Sequence, residues 1–226
     1  TSVIEAQFRN YSIVYTDNAR GNIAMFGNTL MAIVDNSAIN TVKMNDNAVD
    51  GNSTYGNDFA NMQYVDVDGN GFTGSTTRNS STADLTLPAG TNTIKLARLY
   101  WGGRVKDSDF DLNQLANKKI KIRKGGFLPY TEFTATQIDR NNFIQNNEPY
   151  TRYQAFADIT SFIQTNGTGT YSVGNAPLSV GVIDNGGNYG AWCIVIVYEN
   201  SSLDYNSIRL YDGFEQVFDN GNPLTT

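Results

Sequence analysis

The sharpest chemical motif in the chain places oxygen-bearing side chains at alternate positions. Asp66, Asp68 and Asn70 are followed by glycines, so a tight loop would direct three oxygens toward one point. Ca²⁺ binds about six to eight oxygens, and glycine permits the bend that gathers them. An EF-hand is excluded, because Thr77 stands where that loop needs Glu and no helical pattern flanks it. The motif predicts either a calcium-stabilised β-loop or a solvated turn at the end of a strand.

A second acidic segment repeats this spacing. Asp107, Asp109 and Asp111 again alternate, so they are further candidate ligands of a Ca²⁺ cofactor. Taken alone this second motif is the weaker one, because a charged turn also explains it.

The composition excludes several kinds of chemistry. The 226 residues contain no His and one Cys, which excludes His-dependent catalytic triads, His-ligated metals, intrachain disulfides and Cys-cluster zinc sites. The formal net charge of −6 argues against nucleic-acid binding. Any metal would therefore be a hard ion that prefers oxygen.

Carboxylates could in principle support glycoside hydrolysis. That reaction needs two of them, held about 5 to 10 Å apart. The chain has few Glu, and those near its last strands, Glu199 and Glu215 with Asp212, lie in no recognisable pocket signature. We therefore expect no enzymatic activity and no catalytic residues.

Aromatic residues are the remaining candidates for ligand contact. The chain has 13 Tyr, 12 Phe and 2 Trp, and exposed rings on a sheet could stack on sugars. Tyr100 and Trp101 end one apolar strand and Trp192 begins another, which favours core packing. Cys193, inside the same apolar run, is expected to be a buried, inert thiol.

One basic cluster contains Lys118, Lys119, Lys121, Arg123 and Lys124. Strand alternation puts three of these cations on one face, with two isoleucines on the other. The cations could contact an acidic polysaccharide or a neighbouring domain, or form a solvated sheet face. The strand could also be an edge that charge protects from pairing.

The elements that would position these residues are mostly strands. Segments of strand character are predicted at residues 11–15, 22–26, 29–34, 63–67, 93–101, 119–123, 152–157, 170–173, 178–183, 191–199 and 207–211. A short helix is predicted over 158–164 with Asp158 as N-cap, and a second helical turn over 110–117. Residues 35–58 and 140–149 are predicted to be long loops. The sum is an all-β fold, a β-sandwich that is jelly-roll-like, with long loops and one or two short helices.

Composition also predicts the compartment. No apolar run approaches the roughly 20 residues of a membrane span. The chain is rich in Asn, Thr and Gly and acidic overall, which is typical of a secreted or surface protein; a cytosolic β protein is the alternative. Thr1 could be a mature N-terminus left by processing.

Several motifs, in this order and spacing, resemble one family. They are GNIAMFGNTL (21–30), YVDVD (64–68), LTLP (85–88), ARLYWGG (97–103), YQAFADIT (153–160), GTYSV (169–173), GAWCIVIVY (190–198) and RLYDGF (209–214). Together they are similar to the N-terminal β-rich module of very large secreted adhesins of the Bacteroidota. Those adhesins leave the cell through the type 9 secretion system and include gliding-motility adhesins of the SprB kind.

The resemblance implies a non-catalytic cell-surface adhesion module, one domain over residues 1–226, belonging to a longer multi-module protein. It implies a place at the distal tip of a fibre. Expected partners are surface polysaccharide, other cells, other protein modules and, during export, the type 9 machinery, without nucleic acid or membrane insertion. Two alternatives remain: a structural module of a surface filament that contacts only protein, and a carbohydrate-binding module or glycan-active enzyme.

Overall fold

The computed structural model describes residues 9–35, 38–40, 60–68, 77–126, 129–183 and 187–215. Asn70 of the first acidic motif lies outside the described residues, as do residues 36, 37 and 41–58 of the first predicted long loop. The described part of that segment, Asp35 and residues 38–40, lies in strands, so the loop prediction is wrong there.

Within these ranges the chain forms strands, one short α-helix and one turn of 3-10 helix at Leu115–Lys118. The strands are β1 (Arg9–Thr29), β2 (Met31–Asp35), β3 (Ala38–Asn40), β4 (Met62–Tyr64), β5 (Ser80–Leu85), β6 (Thr93–Lys106), β7 (Lys119–Lys124), β8 (Thr131–Thr134), β9 (Gln137–Gln145), β10 (Glu148–Asp158), β11 (Gly169–Gly174), β12 (Gly190–Glu199) and β13 (Tyr205–Phe214). The helix, α1, spans Thr160–Asn166. The predicted all-β class is confirmed.

The strands pair antiparallel in three sheets. The largest has the order β13-β1-β12-β6-β10-β9, the second β5-β11-β7-β8, and a small third β3-β2-β4. Inward side chains of the two larger sheets form one apolar core, a sandwich that includes Trp101, Ile194, Ile122 and Val173. This arrangement follows from period-two alternation, which gives each strand one apolar face to bury.

Both tryptophans lie in this core, as the sequence predicts. Trp101 is 2% exposed and Trp192 is 3% exposed. The Trp192 indole Nε1 donates a hydrogen bond to Ser81 Oγ on the facing sheet at 2.8 Å. That bond satisfies the buried N–H and ties the two sheets together.

The predicted loop over residues 140–149 is wrong, because these residues form the turn and the adjoining strand ends of the β9–β10 hairpin. Asn146 and Asn147 connect the strands with φ of 51° and 60°. Two consecutive left-handed residues match the twist of a hairpin, and asparagine tolerates that conformation better than most residues. The abundance of Asn therefore marks a tight turn here.

Three smaller predictions are also corrected. Residues 178–183 form no strand; Gly181, with φ of 96°, makes an isolated bridge to Met62 instead. β7 lies between β11 and β8, so it is not an edge strand. The helix begins at Thr160, where Asp158 Oδ1 accepts a hydrogen bond from the Thr160 N–H at 2.9 Å.

The two halves of strand β1 pair with different strands. Residues 21–29 pair with β12, whereas residues 9–20 pair with β13 and form a two-stranded ribbon. The ribbon lies against the outer face of the large sheet, opposite the core. There Asp212 of β13 contacts Arg98 of β6, and Arg9 of β1 contacts Asp139 of β9. The end of the ribbon thus forms a raised wall on that face.

In the part of the chain that the structure describes, no helix is both long and apolar enough to cross a membrane.

Candidate functional site

An open groove of about 660 Å³ lies on the outer face of the large sheet, beside the end of the ribbon. Its floor is a row of residues paired across four strands: Thr29 with Ala191, Ala191 with Gly102, and Gly102 with Gln154. Three strand spacings of about 4.8 Å make this row about 14 Å long. The volume and length suit a ligand of a few rings.

The floor is flat because its central positions carry small side chains. Gly102 leaves a gap at the middle of the row, and Ala191 adds one methyl group. At Gly102 a side chain is also excluded sterically, since a Cβ there would lie 2.4 Å from the Tyr153 carbonyl oxygen. The glycine therefore serves the close approach of β6 to β10 and the shape of the groove together.

Three aromatic residues outside the apolar core line the groove. Tyr100 stands on the floor and packs against Phe156, with ring centroids 5.6 Å apart. Tyr189 lies beside the start of β12 and Phe214 at the end of β13. Burial raises the pKa of Tyr189, while the positive charges of Arg152 and Arg104 oppose that rise. Each ring offers apolar surface and two of the three carry a hydroxyl group.

Four polar side chains complete the lining: Asn141, Arg152, Gln154 and Glu215. Gln154 Nε2 donates a hydrogen bond to the Gly213 carbonyl oxygen at 3.4 Å, which joins the floor to the ribbon. The set supplies amide, guanidinium and carboxylate groups. An apolar groove with a few such groups is the usual composition of a small-ligand site.

Cys193 also lines the groove, which corrects the expectation that this residue is buried. Its side chain is partly exposed beside Tyr100, the residue opposite it on β6. Burial raises the pKa of the thiol. The thiolate is therefore scarce at neutral pH, which makes the group a weak nucleophile.

Sequence reasoning missed the groove residues, although the chain contains two signals for them. The apolar end of β6 predicts a core position for Tyr100 together with Trp101, yet alternation along β6 places neighbouring residues on opposite faces. Gly102 is the second signal, because it leaves the outer face flat, whereas Gly103 faces Leu178 in the core. Apolar and polar side chains from distant segments surround this flat face.

The first acidic motif brings Asp66 and Asp68 together at one hydroxyl group. Ser80 Oγ lies 2.7 Å from Asp66 Oδ1 and 2.9 Å from Asp68 Oδ1. Thr77 Oγ1 donates to Asp68 Oδ1 at 2.8 Å. Arg123 Nη2 lies 3.5 Å from Asp68 Oδ2. A parallel bridge between Asp66 and Ser80 holds this arrangement.

The pKa values of the two carboxyl groups are shifted in opposite directions. Burial and the hydrogen bond with Asp68 raise the pKa of Asp66. Burial disfavours the charged form of Asp68 as well, but hydrogen bonds from Asp66 and Thr77 outweigh it and lower the pKa of Asp68 to about 2. Asp66 therefore keeps a proton more readily than Asp68, as expected for two acids that share one site.

The second acidic motif does not gather its carboxylates in this way. Asp107 Oδ1 accepts from Thr151 Oγ1 at 2.8 Å and Asp109 Oδ2 from Ser179 Oγ at 2.6 Å. Asp111 Oδ1 accepts from the backbone N–H of Asn113 at 2.8 Å. Among the described residues, no group of three or more Asp, Glu or Cys side chains could hold a metal ion.

The basic cluster is largely engaged within the protein. Lys119 Nζ donates to Glu132 Oε1 at 2.7 Å, and Lys124 Nζ contacts the Asn166 carbonyl oxygen. The Arg123 guanidinium lies 4.4 Å from the Tyr130 ring centroid and pairs with Asp68. Ile120 and Ile122 are fully buried on the opposite face, as the alternation predicts.

No family model, no curated protein and no solved structure matches this chain.

Proposed function

We propose that this domain is a non-catalytic adhesion module of a secreted bacterial surface protein and that its outer-sheet groove binds a polysaccharide. The observation that carries the proposal is the groove itself: a flat floor about 14 Å long, lined by Tyr100, Tyr189 and Phe214 and by four polar side chains. The family resemblance supports surface location and export through the type 9 system.

Sugar recognition fits this lining because a pyranose ring has one apolar face and a rim of hydroxyl groups. An aromatic ring covers the apolar face, and amides and charged groups bond the rim. The groove is open to solvent, so a unit of a longer polymer could occupy it. Weak contact of this kind is sufficient for adhesion when many copies act together.

The lining also supports a binding role over hydrolysis. Of the described residues that line the groove, Glu215 is the one carboxylate. Glycoside hydrolysis uses an acid and a second carboxylate on either side of the bond.

A glycan array followed by calorimetric titration of the best ligand tests the proposal. We expect Tyr100→Ala and Tyr189→Ala each to weaken binding about tenfold, since a lost ring contact is worth about 1 kcal/mol. Tyr205→Ala is the matched control, because Tyr205 is 67% exposed and lies outside the groove. Failure of every glycan to bind, or equal binding by all three variants, would refute it.

Cys193 supplies a second, independent readout, because it is the only cysteine in the chain and it lines the groove. A bound glycan should slow the reaction of this thiol with a maleimide. Unchanged labelling at saturating glycan would place the ligand elsewhere.

We further propose that Ca²⁺ binds at Asp66 and Asp68 and stabilises the cluster that they form with Ser80. The supporting observation is that two carboxyl oxygens converge on Ser80 Oγ, where a cation could bind both of them. A bound cation would also allow both carboxyl groups to be ionised together, since the positive charge of Arg123 pairs with Asp68.

Thermal melts in EDTA and in millimolar CaCl₂ test the calcium site. When the free Ca²⁺ concentration is 100 times the dissociation constant, binding raises the free energy of unfolding by about 2.7 kcal/mol. That corresponds to roughly 5–10 °C for a domain of this size. The shift should disappear in Asp66→Asn and persist in Asp204→Asn, an exposed control. Coincident melts, or a shift that survives Asp66→Asn, would exclude calcium at this pair.

A further inference from the structure

Two guanidinium groups lie opposite each other at one end of the groove. Arg152 of β10 pairs directly with Arg104 of β6 in the antiparallel register. Both side chains are on the outer face of the sheet, because Tyr153 and Val105 next to them are buried in the core. Like charges in directly opposed positions destabilise a sheet. The cost stands out in a chain whose net charge is −6.

The two arginines differ in what surrounds them. Arg104 is fully buried and donates hydrogen bonds to the Gly187 carbonyl oxygen at 3.1 Å and to Gln145. The Arg104 guanidinium also lies 4.6 Å from the Tyr150 ring centroid. It is therefore held as part of the structure, and its charge stays fixed behind the groove.

Arg152 is the partner that faces the groove. Its guanidinium lies 4.1 Å from the Phe143 ring centroid, which fixes the group without neutralising it. Within the described part of the chain, no carboxylate pairs with Arg152 and its guanidinium donates no hydrogen bond. A preorganised guanidinium with donors available is suited to a planar anion that accepts two parallel bonds.

We propose that the groove selects an acidic sugar unit and that Arg152 binds its carboxylate. The inference rests on the proposed function, since it names the class of glycan that the groove takes. Charge complementarity sets the position: the carboxylate lies at the Arg152 and Tyr189 end. Glu215 lines the groove too, so it repels a second carboxylate and accepts hydrogen bonds from sugar hydroxyls instead. The ligand is then an anionic polysaccharide whose acidic unit occupies one end of the groove.

The test compares oligogalacturonate with the same oligosaccharide after reduction of its carboxyl groups to alcohols. We expect the acidic form to bind about 10- to 100-fold more tightly to the wild-type protein. Arg152→Gln should abolish that preference, and Arg152→Lys should retain only part of it, because lysine cannot make two parallel bonds. Arg209→Gln is the control, since Arg209 is exposed on β13 and outside the groove.

Stability provides the readout that a purely structural role would change. Because Arg152→Gln removes a like-charge pair, its melting temperature should equal or exceed that of the wild type. A loss of several degrees would show that Arg152 serves the fold, and would overturn the inference. Equal binding of the acidic and reduced forms would overturn it as well, yet leave the proposed function intact. Binding of neither form, with no hit on the glycan array, would refute both.

Discussion

Asp212 holds the ribbon of β1 and β13 against the large sheet. Its carboxylate is 3% exposed and lies 2.9 Å from Arg98 Nη1 and 2.9 Å from Arg9 Nη2. In Asp212→Asn, one carboxylate oxygen becomes an amide donor that faces a guanidinium. Arg9 keeps three hydrogen bonds to Asp139. Arg98 loses the one carboxylate that pairs with it among the described residues, and its buried Nε has no partner.

The size of the effect follows from this asymmetry. Removal of one member of a buried ion pair costs about 3–5 kcal/mol, because the other charge stays buried. Arg98 and Arg9 are 17% and 26% exposed, so water reaches part of each guanidinium and reduces the cost. We expect Asp212→Asn to lower the free energy of unfolding by about 2–3 kcal/mol, or roughly 5–10 °C in melting temperature.

Urea unfolding followed by tryptophan fluorescence measures this change, since Trp101 and Trp192 both lie in the core. Asp204→Asn, which changes an exposed carboxylate, should stay within about 0.5 kcal/mol of the wild type. Adding Arg98→Met to Asp212→Asn should restore part of the loss, because the uncompensated charge is gone. A loss below about 1 kcal/mol, or a double variant less stable than the single one, would refute the reasoning.

Two further predictions concern the acidic pair and the groove floor. Because the pKa of Asp68 is lowered in the folded protein, ionised Asp68 stabilises the fold at pH values above its unfolded pKa. This stabilisation is lost as the pH falls toward 2. In EDTA, Asp68→Asn should therefore cost about 1–2 kcal/mol at pH 7 and progressively less in acid. Asp66→Asn should leave the free energy of unfolding at pH 7 unchanged or raise it, because a carboxyl group with a raised pKa destabilises the fold once the pH exceeds that pKa. Thermal melts from pH 2 to 7 measure both effects. Equal losses of stability in the two variants would contradict the assignment. Gly102→Ala should lower the free energy of unfolding by about 1–3 kcal/mol, since the new Cβ would meet the Tyr153 carbonyl oxygen. Gly126→Ala should change it little, because open space surrounds that position. Equal urea midpoints for the two variants would contradict this prediction.

For Asp66 and Asp68, the local sequence pattern predicted part of the candidate site. The spacing of the motif predicts that the oxygens of Asp66 and Asp68 converge, and both carboxyl groups contact Ser80 Oγ. The hydroxyl groups that complete the cluster belong to Thr77, which precedes β5, and to Ser80, the first residue of β5, and neither could be inferred from the motif. Calcium binding there, and at Asp107, Asp109 and Asp111, stays a prediction.

The sequence by itself determined the inward face wherever apolar and polar residues alternate clearly. Period-two alternation placed Ile120 and Ile122 in the core, apolar strand segments placed both tryptophans there, and the turn residues implied many short strands. These properties are local, because a strand exposes its faces in alternation whatever its neighbours are.

Only the tertiary structure decided which strands lie side by side. Arg9 and Asp212 are 203 positions apart, yet they share a hydrogen bond. The groove likewise joins Thr29, Gly102, Gln154 and Ala191 through pairings that no single segment encodes. Alternation fixes the face of a strand but leaves its partner and register open, and these depend on how all the apolar faces are buried at once.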